Sequence, residues 1–149
     1  VTLLGGYFGS RLMSNIRENK GYTYGIGAGI VNCPGSGALV ITTEADNRYI
    51  DAIIAEVYCE MDRLCNDLAP QEEIEMVRSY MLGEFCRSYE SPFSLSDAWI
   101  YTETAGLDDD FFVRSIEAIR SVTTEEIRNL AQTYLCKEKL IEVVAGKKV

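Results

Sequence analysis

The sequence predicts an α+β fold in which an antiparallel sheet packs against several helices. Three observations carry that expectation. Two runs of β-forming residues, Tyr22 to Val31 and Ala38 to Thr43, flank a Pro-Gly turn. A series of stretches with helical spacing follows, and one further β-rich run, Leu140 to Ala145, closes the chain. Strands and helices do not alternate as βαβ units, which argues against a doubly wound sheet. The 149 residues suit one domain, 1–149. Three strands are few for a stable sheet, so its first strands are expected to lie upstream. Val1 is no initiator methionine and VTLLGG reads as the tail of a helix already under way, so the chain is expected to be a piece of something longer.

The elements follow in order. Ser10 to Lys20 reads as helix, with Phe8, Leu12, Met13 and Ile16 on one face and Gly21 as its stop. Tyr22 to Val31 reads as a strand with Tyr22, Tyr24, Ile26, Ala28 and Ile30 on one face. Thr23, Gly25, Gly27 and Gly29 leave the other face nearly bare, open to close approach by another group. Cys33 to Gly37 is the turn into the second strand. Asp46 caps a helix reaching about Asn66, whose apolar stripe is Ile50, Ile53, Ile54, Val57, Met61 and Leu64. Pro70, with Glu72 and Glu73 behind it, opens a helix to about Glu90. Ser91-Pro92 starts another that ends near Gly106. Asp108 to Asp110 seed the next, through Phe111, Ile116 and Ile119. Thr123 and Glu126 form a capping box for a helix ending near Leu135.

Composition narrows the function. A net charge of −9 disfavours nucleic acid and anionic membrane surfaces and is compatible with a neutral or cationic peptide. No apolar run approaches the ~20 residues of a membrane span. The five cysteines, Cys33, Cys59, Cys65, Cys86 and Cys136, are odd in number and irregular in spacing, which argues against a disulfide framework. Cys59 and Cys86 fall inside helical patterns and read as small buried thiols. The five together suggest a reducing compartment, and a cytoplasmic location is expected.

Chemistry is limited by what is absent. The chain contains no histidine, so Ser-His-Asp and Cys-His arrangements are excluded, as are the HExxH and HxxEH zinc motifs. Gly25-Ile26-Gly27-Ala28-Gly29 sits between strands and does not open a helix, which weakens a dinucleotide reading. Glu72, Glu73 and Glu75, and Asp108 to Asp110, sit at helix starts where acidic residues complement the dipole. Arg17 and Tyr24 remain. On a helical wheel Arg17 lies on the flank of the apolar face, and Gly21 turns the chain so that Tyr24 can approach its guanidinium. Spacing alone favours the plainer alternative of a surface arginine and a core tyrosine.

The run GGYFGSRLMSNIRENKGYTYGIGAG, residues 5–29, resembles the C-terminal-half signature of the pitrilysin and mitochondrial-processing-peptidase group of zinc peptidases, the inverzincins. Gly5, Gly6, Phe8, Ser10, Arg11, Leu12, Ile16, Arg17, Glu18, Gly21 and Tyr24 match its pattern in order and spacing. The acidic-capped helix from Asp46, the glutamate-rich helix start, Ser91-Pro92 and the Val122 to Ile127 run agree with it further along. The resemblance implies a peptidase of two homologous α+β halves. The N-terminal half carries HxxEH and a distant glutamate that together hold zinc. The C-terminal half has lost those ligands and closes over the site.

On that basis this chain is expected to be the C-terminal, substrate-binding segment of a zinc-dependent endopeptidase, inactive by itself and binding no metal or cofactor. Its implied partners are the N-terminal zinc-binding half of the same protein and a peptide substrate, with the oligomer open between homodimer and heterodimer. The implied catalytic residues are Tyr24, stabilising the oxyanion, and Arg17, binding a substrate carbonyl. Two alternatives stand beside it: a non-catalytic scaffold or partner subunit of the same fold, and a free-standing module that offers a sheet edge to an extended peptide.

Overall fold

Alternating β-formers on either side of Gly35 fold as a hairpin. The structure is a computed structural model that describes residues 1–33, 35–108 and 110–146. In it β1 (Thr23–Cys33) and β2 (Ser36–Ala45) pair antiparallel, with Cys33 opposite Ser36 and Thr23 opposite Ala45. Gly35 adopts φ 76°, the left-handed conformation such a reversal favours in glycine. Both strands extend past the predicted ends, and β1 starts one residue later than expected. Tyr22 instead stacks on Tyr49, with ring centroids 4.8 Å apart and planes 19° from parallel. Pro34 of the predicted turn and Asp109 of the predicted acidic cap lie outside the described residues.

The chain falls into two compact units. The first comprises Val1–Ala69 and the chain from Glu125 onward, and the second comprises Pro70–Thr124.

In the first unit β1 packs on two short helical pieces that precede it. Thr2–Gly6 forms a short helical turn that kinks at Gly5, and the helix from residue 11 widens to π geometry over Met13–Asn19. Leu3, Leu4, Leu12 and Ile16 are buried there, as is Ile26 on β1. Gly5 lets the strand come close: a Cβ on it would lie 2.7 Å from both the Cβ and the backbone nitrogen of Ala28. Gly21, at φ 63°, ends the second helix; its N–H donates to the Arg17 carbonyl at 3.1 Å.

Asp46 accepts the Arg48 N–H at 3.1 Å and opens a 3₁₀ turn, Asn47–Tyr49, that leads into α1 (Ile50–Asn66). Of the predicted stripe, Ile53, Met61 and Leu64 are buried and the others half-buried. At its C-terminal end, α5 (Thr124–Tyr134) meets α1 where Gln132 donates to the Cys65 carbonyl at 2.7 Å. A 3₁₀ turn, Lys137–Lys139, follows, and Lys137 pairs with Asp62.

Polar side chains fasten the second helix to α1. The Asn15 amide donates to Glu56 at 2.9 Å and to the buried Glu60 at 2.7 Å. Glu60 also accepts from Arg63 at 2.7 Å, so a carboxylate withdrawn from water keeps its hydrogen bonds. Lys20 pairs with Glu56. The Lys20 ammonium, and then the Asn15 amide, hold the Glu56 carboxyl below the usual glutamate range. A lowered folded value means that this contribution is complete above the unfolded value and disappears as pH falls through the folded one. Urea unfolding should therefore show wild type more stable than Glu56→Gln at pH 6. That margin should shrink as pH falls below about 4.3. A margin that grew on acidification would contradict the assignment.

The second unit holds α2 (Gln71–Arg87), α3 (Pro92–Ala105) and α4 (Phe111–Ser121). Arg78 on α2 donates to the carbonyls of Ile119 and Val122, each at 3.1 Å, and so closes the end of α4. Phe85, Tyr89 and Phe112 form an aromatic cluster with centroids 4.8–6.2 Å apart, Phe112 meeting both other rings edge-on. Ser91 caps α3 by accepting the Ser94 N–H at 3.1 Å, and left-handed Gly106 ends it, as the sequence predicts.

The α+β class holds, with two corrections. Leu140–Ala145 pairs with neither strand among the described residues. Its alternation favours extended backbone, but a strand exists only through a ladder with a partner. Ile141 and Val143 are exposed, and Glu142 accepts from the Tyr58 hydroxyl at 2.7 Å. Cys59 and Cys86 are exposed, not buried, and all five cysteines are free thiols. No helix among the described residues is long and apolar enough to cross a membrane.

Candidate functional site

Arg17 sits on the π-helical stretch, four residues after Met13 and one after the fully buried Ile16. Burial of Leu12 and Ile16 fixes the helix against β1, which leaves the arginine stem on the flank that the wheel predicts. Its side chain is 27% exposed, and Nη1 lies 4.0 Å from Glu18 Oε1. The guanidinium carbon stands 4.5 Å from the centre of the Phe8 ring and 5.6 Å from that of Tyr24. Two aromatic rings thus brace one cation, each contact contributing ~0.5–1 kcal/mol at an exposed site.

Phe8 corrects the sequence reading. It was expected to share the core face with Leu12, Met13 and Ile16, but it precedes the helix and is 61% exposed. A wheel extended past the start of a helix has no meaning, because the backbone there is no longer helical. Phe8 is instead a wall for Arg17, a role that the sequence signals only by its place in the matched motif.

Tyr24 corrects it as well. The alternation puts Tyr24 on the face of Ile26, yet Tyr24 is 91% exposed while Ile26 and Thr23 are buried. The register explains this. Three steps on β1, from Thr23 to Ile26, face two steps on β2, from Ala45 to Thr43. One extra residue on β1 makes a β-bulge, which re-aims the side chain beside it. Gly25, within the bulge, and Gly29, beyond it, face open space. Arg17, Phe8 and Tyr24 therefore stand together at the start of β1, with a phenol hydroxyl accessible and a positive fork fixed beside it. Such a pair can donate hydrogen bonds to carbonyl oxygens or to an oxyanion.

The donor chemistry does not fit zinc. The chain has no histidine, and no group of three potential metal ligands occurs among the described residues.

Comparison with known proteins finds the same fold elsewhere. A peptidase M16 inactive domain from Pseudomonas fluorescens superposes with a TM-score of 0.81 at 20% identity, over 91% of this chain and 32% of that one. A candidate zinc protease from Bordetella pertussis Tohama I gives 0.75 at 20% identity, over 92% of this chain and 75% of that one. A protease from Helicobacter pylori gives 0.80 at 16% identity, over 91% and 33%. The chain thus spans about a third of the first and third of these proteins. At such identities the likeness shows the fold. No curated protein matches the sequence. Residues 1–81, more than half of the chain, match the peptidase M16 inactive domain. That stretch includes Phe8, Arg17, Tyr24, both strands and all of α1, and the chain belongs to the peptidase M16 inactive domain family.

Proposed function

We propose that this chain is the C-terminal, site-closing part of a zinc-dependent endopeptidase, inactive by itself. In this reading its partner is an N-terminal half that supplies the zinc, and its ligand is a peptide substrate. One observation supports it above the others: a β-bulge turns Tyr24 out of the sheet and leaves its ring 5.6 Å from the Arg17 guanidinium carbon. A core tyrosine and an unrelated surface arginine would not need that device. Arg17 holds a backbone carbonyl of the peptide near the scissile bond, its fork steadied by Phe8. The Tyr24 hydroxyl donates to the oxyanion of the tetrahedral intermediate.

The test uses the intact protein, a fluorogenic peptide and a zinc assay. Arg17→Ala should lower kcat/KM about 10- to 100-fold, from the ~1.5–3 kcal/mol of a hydrogen bond to a charged group. Zinc content should not change. Unaltered kcat/KM would remove Arg17 from the site. An intact protein that carries no zinc and cleaves no peptide would instead support a non-catalytic subunit.

A further inference from the structure

The bulge that exposes Tyr24 is held by side chains, and those side chains have no part in the proposed chemistry. Thr23 and Ile26 are three residues apart, an odd number, so a regular strand would send them to opposite faces. Both are buried, Thr23 at 9% exposure, because the bulge inserts one residue between them. A bulge takes backbone groups out of the ladder, and those groups need other partners. Here each has one. The Gly25 N–H donates to Thr23 Oγ1 at 3.1 Å. The Gly25 carbonyl lies 2.8 Å from the Thr43 hydroxyl, which is also 2.9 Å from Thr23 Oγ1. The Thr23 hydroxyl donates to the Glu44 carbonyl at 2.6 Å, across to β2. The Ile26 N–H donates to the Met13 thioether at 3.4 Å. Met13 is on the helix that carries Arg17, so the same bulge that aims Tyr24 is tied to its neighbour's helix.

We propose that Thr23 is a positioning residue for Tyr24, with Thr43 as its partner in holding the bulge. The hydroxyl of Thr23 replaces the ladder bonds that the extra residue forfeits. Without it the strand gains by returning to regular register, which would swing Tyr24 toward the face of Ile26 and away from Arg17. The kinetic consequence rests on the peptidase reading; the structural one does not.

The experiment compares Thr23→Val, which keeps the shape and removes the hydroxyl, with Thr23→Ser, which restores it, in the intact protein. Amide exchange of Gly25 by NMR should be about five- to tenfold faster in Thr23→Val, the size of one lost hydrogen bond, and near wild type in Thr23→Ser. Turnover of a fluorogenic peptide should fall about 10- to 100-fold in Thr23→Val with KM little changed, and Thr23→Ser should recover it. Thr43 is exposed, so Thr43→Val keeps the test available if Thr23→Val does not fold; it should shift both readouts in the same direction. Unchanged Gly25 exchange in these variants overturns the proposal. So does faster exchange with normal turnover where Tyr24→Phe impairs turnover. If exchange accelerates and neither change affects turnover, Thr23 still holds the bulge, and the catalytic role of Tyr24 is what fails.

Discussion

Replacing Tyr24 with phenylalanine in the intact protein should lower kcat about 10²–10³-fold, the usual cost of removing one oxyanion donor. The expectation is specific to the hydroxyl. Tyr24 is 91% exposed, so its ring adds little to the core and stability should hold. Phenylalanine keeps a ring beside Arg17, so the cation–π contact at 5.6 Å survives. A donor used only when the oxyanion forms acts on the transition state and not on ground-state binding, so KM should change little. Zinc content should be unaffected, since the described residues contain no candidate metal cluster. The decisive measurement is steady-state kinetics beside a zinc assay and a thermal melt. Normal kcat in a folded, zinc-loaded Tyr24→Phe protein would end the assignment. A fall in KM-dependent binding with kcat preserved would instead make Tyr24 a subsite wall.

The helices were legible because their punctuation is local. Ser91 with Gly106, and Asp46 ahead of Ile50, each declare an end through a hydrogen bond or a left-handed glycine within a few residues. The bulge was not, because it is a property of two strands. Nothing in Thr23 to Ile26 alone says that Ala45 and Thr43 will stand opposite them. A period-2 reading then carries Tyr24 to the wrong face with no local warning. Leu140–Ala145 failed for the same reason in reverse: its pattern is that of a strand, but pairing depends on a partner elsewhere. Arg17 and Tyr24 were singled out through the family resemblance, since spacing alone favoured a surface arginine and a buried tyrosine. Phe8 and Met13 were in view as apolar residues, and only the fold shows one bracing the guanidinium and the other accepting an amide.

Gly5→Ala should be the most damaging small substitution in the first unit, costing about 3 kcal/mol, the upper part of the range for overpacking. The glycine is buried, and its φ of −158° lies outside the left-handed region that favours glycine, so the constraint is space. An added Cβ would lie 2.7 Å from the Ala28 Cβ, 2.7 Å from the Ala28 nitrogen and 3.1 Å from a Leu12 methyl. Leu12 can shift its side chain; the Ala28 nitrogen cannot move without β1. The strand would have to lift from the turn beneath it, and with it the start of β1 that carries Tyr24. A second substitution separates the two contacts at Ala28. Ala28→Gly in the Gly5→Ala background removes one of the two 2.7 Å clashes and leaves the backbone one. Urea unfolding should therefore show only partial recovery, with a coupling energy of about 1 kcal/mol between the two sites. Full recovery would mean that β1 yields easily and that side-chain contact alone sets the spacing. An undamaged single variant would mean that Gly5 is not the close-approach point at all.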